Sequence, residues 1–184
     1  MTGTRTRVGW GVLGVTVLAL GLGQASLRAD VRQTVQAPRF EVDPVWPKPL
    51  PNHWILGSVI GVGVDSRDHI FVIHRGDSTL NQRTESGASA NPPLGECCSA
   101  APPVVEFDPA GNLVKAWGGA GQGYDWPSSN HGVSIDDKDN VWIGGNGVGD
   151  SHILKFTHEG KFLKQYGKAK QAAASNDSSH FGRV

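Results

Sequence analysis

Short runs of alternating apolar and polar residues recur along the chain, separated by turns rich in Asp, Asn and Gly. The segment 60–74 contains one such run, an Asp-rich turn and a second run rich in Val, Ile and Phe, and the segment 131–144 repeats this order. Alternation with a period of two predicts β-strands, and Asp and Asn favour turns because they accept local backbone hydrogen bonds. Each segment is therefore predicted to form a strand, a turn and a strand.

A second pair of segments repeats in the same way. Residues 104–118 and 153–167 each carry two strand-like runs around a glycine turn, and each ends on an aromatic residue followed by glycine. Four short strands per repeat, closed by an aromatic-glycine turn, are typical of a propeller blade. The sequence therefore predicts an all-β, NHL-type β-propeller within 54–184, with one blade at 54–130 and the next at 131–180.

The remaining stretches read as loops and connections. Residues 77–103 are rich in Ser, Asn, Gly and Pro and are expected to be an insertion at the channel end of the first blade. A second polar stretch, 168–179, is expected to be a solvated loop. The lead-in 26–53 has too much proline for a central strand, so it is expected to pack along an edge or to wrap the outside.

The chain contains too few predicted blades to close a propeller. At roughly 40–50 residues per blade the chain holds about two blades, whereas closed propellers have about four to eight. Residues 181–184 are the predicted start of a further blade. The chain is therefore expected to be a fragment of a longer protein, with the closing of a ring by several copies as the alternative.

The N-terminal stretch predicts export. Arg5 and Arg7 precede the uncharged apolar residues 8–22, and Gly23 and Ala25 fit a signal-peptidase site. This apolar stretch is shorter than the roughly 20 residues of a membrane-spanning helix. Residues 1–25 are therefore predicted to be a cleaved signal peptide rather than an anchor. The mature protein is expected in the periplasm or outside the cell, with no stable membrane span.

Charge and cysteine content narrow the possible partners. The 17 basic residues equal the 17 acidic ones in number and form no basic run, so no nucleic-acid partner is expected.

The two cysteines are adjacent. Export permits disulfides, but Cys97 and Cys98 can bond each other only through a small strained ring. The alternative is pairing with partners beyond residue 184. No catalytic role is expected for either cysteine.

Two residues stand where a propeller could use them. The first strand of each blade lines the channel, so His131, directly before such a strand, is expected at the channel mouth, where three histidines from different blades could hold zinc. The alternative is an ordinary turn histidine. Arg75 ends a strand and could bind a substrate carboxylate, or pair with Asp77 in a turn. Four further histidines fall in loops or turns without a clear partner and are predicted to be structural or solvated: His53, His69, His152 and His158. His180 is also predicted to be structural or solvated, because it stands too early for the next channel-mouth position.

Four stretches resemble the peptidyl-α-hydroxyglycine α-amidating lyases, in particular exported bacterial members. They are the run 57–65, His-Arg-Gly-Asp at 74–77, Asn-His-Gly-Val-Ser-Ile-Asp at 130–136 and the Cys-Cys loop at 96–99, and the resemblance covers about 54–184. It implies a six-bladed propeller with a channel zinc held by three histidines and a structural calcium. The implied reaction splits a peptidyl-α-hydroxyglycine into a peptide amide and glyoxylate, so the expected partner is a peptide or small-molecule substrate in the channel.

The resemblance also assigns roles to individual residues. It implies that His131 is one zinc ligand, that Arg75 is a catalytic residue contacting the substrate near the reacting carbon, and that the backbone carbonyls of Val62 and Val133 bind calcium. The other two histidines and a catalytic tyrosine would lie beyond residue 184, so this chain alone is expected to be inactive as a carbon–nitrogen lyase. The alternative is a non-catalytic NHL propeller that binds a protein or glycan, because propellers host both kinds of function.

Overall fold

The computed structural model describes residues 37–171 and 181. The predicted signal peptide 1–25, most of the stretch 168–179 and residues 182–184 lie outside the described residues. The chain divides into two units, 1–43 and 44–184. In the first, the described residues 37–43 form no helix or strand. Within the described residues, every helix is too short or too polar to cross a membrane.

The second unit is all-β, which confirms the predicted structural class. Two four-stranded antiparallel sheets form it, each with its strands in chain order. The strands of the first sheet are β2 (Ser58–Val64), β3 (Ile70–Arg75), β5 (Val104–Phe107) and β6 (Leu113–Trp117). Those of the second are β7 (Asn130–Ile135), β8 (Val141–Gly145), β9 (His152–Phe156) and β10 (Phe162–Gly167).

The predicted insertion 77–103 contains short elements of its own. The strand β4 (Ser99–Ala100) pairs in parallel with β1 (Trp54–Ile55), just before the first sheet. One helical turn, α1 (Gly76–Thr79), and one 3-10 turn (Gly87–Ser89) precede β4. The insertion is thus tied to the chain on the N-terminal side of the first sheet.

The turns that join β2 to β3 and β7 to β8 are built in the same way. Asp65 Oδ1 accepts the backbone N–H groups two and four residues further on, both at 2.8 Å. Asp136 Oδ1 accepts the corresponding two at 3.0 and 2.9 Å. Asp68 and Asp139, at the fourth position of each turn, have left-handed φ values of 61° and 57°. Asp tolerates this conformation better than most residues, which explains why the Asp-rich pattern predicted both turns.

The main core lies between the two sheets, because every second residue of a strand points to the same face. Its buried members are Phe71, Ile73 and Val104 of the first sheet and Val141, Ile143, Leu154 and Phe156 of the second. Full burial of each such side chain stabilises the fold by about 1.5–3 kcal/mol relative to exposure.

The outer faces of the two sheets differ in what packs against them. Buried residues of the first sheet, including Val72 and Phe107, pack against Trp46, Leu50 and Trp54 of the preceding segment. The second sheet instead presents Trp142 on its outer face, stacked on Tyr166 at 5.4 Å between ring centroids. Both rings are only partly buried. The lead-in residues of the second unit therefore cover the outside of the first sheet, one of the two arrangements expected for them.

Gly160 in the β9–β10 turn provides a test of the inter-sheet packing. Its φ is +82°, and a Cβ added there would lie 2.6 Å from Cδ2 of Trp117. We expect Gly160→Ala to lower the free energy of unfolding by about 1–3 kcal/mol, because it combines left-handed strain with overpacking. Gly144→Ala is the control, since a Cβ there meets no atom of the described chain within 4 Å. Urea denaturation that gives equal losses for both variants would contradict the described contact.

Candidate functional site

Arg75 and the start of β7 come together at one end of the two stacked sheets. The Arg75 Nε atom donates to the backbone carbonyl of Asn130 at 2.9 Å, and Nη2 donates to Asn146 Oδ1 at 2.9 Å. The buried Asn130 side chain donates to the carbonyl of His74 at 3.0 Å. His131 follows Asn130 directly and is exposed. The structure therefore brings the predicted residues Arg75 and His131 to the same end, although they line different cavities.

The cavities lined by His131 and by Arg75 differ in size and character. His131 lines an open cavity of about 600 Å³ on the second sheet, together with Val133, Trp142 and Ile153. Arg75 lines a smaller cavity of about 230 Å³ between the sheets. Ligand sites usually have volumes of about 300–1,000 Å³ and mainly apolar walls with a few polar groups. The larger cavity fits that description.

Asp150 fixes the loop that leads into β7. Its carboxylate is buried and accepts the backbone N–H groups of Ser128, Ser129 and Gly147 at 2.8, 3.0 and 2.8 Å. Burial alone would raise the pKa of this carboxyl, but these hydrogen bonds outweigh it and lower the pKa below 3.8. The Ser129 hydroxyl in turn donates to Asn146 Oδ1 at 3.0 Å, so Asp150 indirectly fixes the acceptor that holds Arg75.

The residues expected to bind metals at the channel do not belong to the cluster of metal-ligating side chains that the described residues form. Among the described residues, the one group of three or more metal-ligating side chains that come together does not include His131. The described chain therefore does not complete a three-histidine zinc site at His131, and that role stays a prediction. Val62 and Val133 lie on β2 and β7, which run side by side: a Cβ added at Gly61 would be 3.2 Å from the Val133 nitrogen. Calcium binding by their carbonyls also stays a prediction.

The two cysteines are paired with each other. A disulfide joins Cys97 and Cys98 in the loop before β4. It lies in the insertion and closes the loop locally.

A cluster of four ionisable side chains lies at the opposite end of the sheets from Arg75. Asp65 and His69 come from the β2–β3 turn, Glu106 from β5 and His158 from the β9–β10 turn of the second sheet. The His69 Nδ1 atom is 2.7 Å from Glu106 Oε1, and His158 Nε2 is 2.9 Å from Asp65 Oδ2. The two carboxylates are fully buried. This buried cluster could hold a metal ion.

The electrostatics of the cluster favour a charged Asp65 carboxylate. Burial alone would raise the pKa of the Asp65 carboxyl. Hydrogen bonds from the backbone of His69, the side chain of His158, and the backbone and side chain of Arg67 outweigh burial and lower that pKa to about 2. Asp65 therefore stays negatively charged near neutral pH and can act as a metal ligand or an ion-pair partner.

The prediction that His69, His152 and His158 have no clear partner was wrong. His69 and His158 belong to the cluster, and the buried His152 places Nε2 2.7 Å from the Asp125 carbonyl. Their partners lie 37, 27 and 93 residues away in sequence, and the contact of His158 with Asp65 crosses between the sheets, so a reading of local turns missed them. His180 lies outside the described residues.

The fold and these sites define an all-β protein of two stacked antiparallel sheets, with a buried metal-competent cluster at one end and an ordered arginine at the other. No protein-family model matches the chain, and no curated protein matches it.

Proposed function

We propose that this chain supplies two blades of an NHL-type, six-bladed β-propeller, and that the complete protein is an exported lyase acting on hydroxyglycine-ended peptides. Two four-stranded meanders stacked face to face support the propeller assignment, because this is how neighbouring blades are arranged. Their first strands, β2 and β7, lie side by side, as the inner strands of neighbouring blades do.

The observation that carries the lyase proposal is the fixed position of Arg75, which contacts the residue before His131. Asn130 and Asn146 hold the guanidinium through two nitrogens, so its orientation is set before any substrate arrives. A positioned arginine recognises a carboxylate through charge-assisted hydrogen bonds, and a hydroxyglycine end carries a carboxylate next to the reacting carbon. In the proposal Arg75 binds that carboxylate and orients the carbon for cleavage.

The proposed reaction needs no oxidant or reductant. The hydroxyl oxygen forms a carbonyl double bond as the bond from the same carbon to the amide nitrogen breaks. The hydroxyl proton is lost and the leaving nitrogen gains one, which gives glyoxylate and a peptide amide. In this proposal Arg75 is the described residue that would bind the substrate.

We expect Arg75→Lys to lower kcat/KM for glyoxylate release from an α-hydroxyglycine peptide by about 10–100-fold. The physical reason is the loss of a charge-assisted contact of about 1.5–3 kcal/mol in a geometry that lysine cannot reproduce. The measurement uses the natural polypeptide that carries these residues, with His131→Ala as the companion variant that tests the zinc assignment.

Arg83→Lys is the matched control, because Arg83 is exposed in the insertion. An equal effect of both arginine substitutions would refute the role of Arg75. No glyoxylate from the folded, zinc-supplied protein would refute the lyase proposal and favour the non-catalytic alternative.

A further inference from the structure

We propose that Asp65, His69, Glu106 and His158 form a Zn²⁺ site that joins the two sheets. The site is separate from the Arg75 and His131 end and independent of the lyase proposal. Three of its ligands belong to the first sheet and its turn, and the fourth to a turn of the second sheet. A bound ion would therefore connect the two sheets at the end opposite Arg75.

The distances between ligand atoms suit a four-coordinate ion. All four atoms lie within 4.8 Å of one another. Four of the separations are 2.7, 2.9, 3.5 and 3.8 Å. A tetrahedral Zn²⁺ with bonds of about 2.0–2.1 Å separates its ligand atoms by roughly 3.4 Å. The observed values lie on both sides of that separation, so small side-chain rotations would bring all four atoms into range.

A second observation shows that the cluster is incomplete as a hydrogen-bond network. The fully buried Glu106 has no hydrogen-bond partner for Oε2 within the described part of the chain. Leaving a buried carboxylate oxygen without a partner costs free energy, so such atoms usually have a ligand. A cation at the cluster would provide one.

The histidine from the second sheet points to the same conclusion. His158 Nε2 lies 2.9 Å from Asp65 Oδ2 and 2.5 Å from Arg67 Nη2. A protonated Nε2 can donate to Asp65 but cannot accept from Arg67, and an unprotonated one can do only the reverse. The two contacts therefore exclude each other. A metal ion that replaces Arg67 satisfies Nε2 and the carboxylate together.

The second repeat shows how the fold neutralises this position without a metal. Asp136 corresponds to Asp65 in the repeat and Lys155 corresponds to Glu106. Lys155 Nζ lies 3.0 Å from Asp136 Oδ2, so the second sheet carries its own ion pair there. In the first sheet the lysine is replaced by a second carboxylate. The positive charge must then come from elsewhere, and two histidines at ligand distance are the surroundings that a divalent ion requires.

Arg67 acts as a competitor in this proposal. Its side chain is 55% exposed, and its Nη2 lies 3.2 Å from Asp65 Oδ2 and 3.8 Å from Glu106 Oε1. A guanidinium that is half in solvent can leave at little cost. Zn²⁺ binding would displace it toward water.

The ligand set selects a transition-metal ion rather than calcium. Two imidazole nitrogens and two carboxylate oxygens suit Zn²⁺, whereas Ca²⁺ takes six to eight oxygen ligands. Two carboxylates also balance the charge of one divalent ion. Four protein ligands leave no open position, which is typical of a structural rather than a catalytic zinc site.

The test is titration of the purified chain with Zn²⁺ after treatment with a chelator. We expect one ion per chain, no competition from excess Ca²⁺, and a rise in Tm of roughly 5–10 °C when free Zn²⁺ is about 100 times Kd. Glu106→Gln and His158→Gln should each weaken binding by at least about 10–100-fold, the effect of losing an outer partner alone. His158 lies on a turn, so its variant provides the test if Glu106→Gln fails to fold.

Arg67→Met separates a metal site from an ordinary ion-pair network. Methionine keeps the apolar stem and removes the competing charge, so Zn²⁺ affinity should rise in this variant. His131→Ala should leave the affinity unchanged, which distinguishes this site from the zinc of the lyase proposal. Absence of Zn²⁺ binding, binding that is indifferent to Glu106→Gln, or affinity that falls in Arg67→Met would each overturn the proposal.

Discussion

Phe156→Ala is expected to lower the free energy of unfolding by about 3–5 kcal/mol. Phe156 lies in β9 and is 1% exposed, at the centre of the packing between the sheets. Four aromatic rings surround it at centroid distances of 5.0–6.2 Å: Trp117, Tyr124, Trp126 and Phe162. Because rigid aromatic neighbours cannot collapse fully into the space left by a phenyl ring, the loss combines transfer and cavity terms.

Urea denaturation of the wild-type and variant chains measures this loss. Domains are stable by only about 5–15 kcal/mol, so the substitution removes a large part of the total. Phe40→Ala is the matched control, since Phe40 is 91% exposed, and it should change the free energy of unfolding by less than about 0.5 kcal/mol. A loss below about 1 kcal/mol for Phe156→Ala would mean that the two sheets do not pack through this cluster.

The strands could be predicted because their signals are local. The segments 60–74 and 131–144 correspond to β2 with β3 and to β7 with β8, and alternation marks each strand. The turns were predicted for the same reason, since the Asp that accepts two backbone N–H groups lies within its own turn. Repetition added a second, independent indication of the same order.

The insertion could not be predicted in the same way. β4 is two residues long and exists because it pairs in parallel with β1, more than forty residues earlier in the chain. Such a short strand has no period of its own, and Ala101, which follows it, is buried through packing of distant segments. The composition of the insertion therefore predicted a loop, whereas its short strand depends on contacts with distant segments.

The candidate sites differ in the same way, because local sequence signals indicate one of them and not the other. Arg75 and His131 could be selected as candidates, which stay predictions, because each stands at a strand end in a recognisable local motif. The cluster of His69 and His158 could not, because His158 and Asp65 are 93 residues apart and meet only across the sheets. The repeat did contain a usable signal: His69 stands where the second copy has Asn140. When repeated turns are compared, a residue type that can bind metal in one copy and not in the other marks a candidate site.

Asp150→Asn is expected to lower the free energy of unfolding by about 2–4 kcal/mol and to loosen Arg75. The carboxylate accepts three backbone N–H groups, from Ser128, Ser129 and Gly147. An amide can accept with one atom only, so at least one of these partly buried N–H groups would face an NH₂ group and lose its partner. Charge-assisted hydrogen bonds contribute about 1.5–3 kcal/mol each, which sets the size of the expected loss.

The pH dependence of this loss has a definite sign. Hydrogen bonds to the charged form hold the folded-state pKa of Asp150 below its ordinary value of 3.8. The stabilisation is therefore fully present above that value and is lost as the pH falls through the lower, folded-state pKa. The stability difference between wild type and Asp150→Asn should accordingly be constant near neutral pH and shrink below pH 3.8.

Asp137→Asn is the control that separates this effect from a general charge effect. Asp137 is exposed and lies in the β7–β8 turn, so its substitution removes the same charge without touching the loop before β7. We expect a change in the free energy of unfolding below about 0.5 kcal/mol. If the two variants lose stability alike, or if the Asp150→Asn difference grows in acid, the carboxylate does not hold the loop. Asp150 would then not be the residue that positions Asn146 through Ser129, and the Asn146 contact with the Arg75 guanidinium would not depend on this carboxylate.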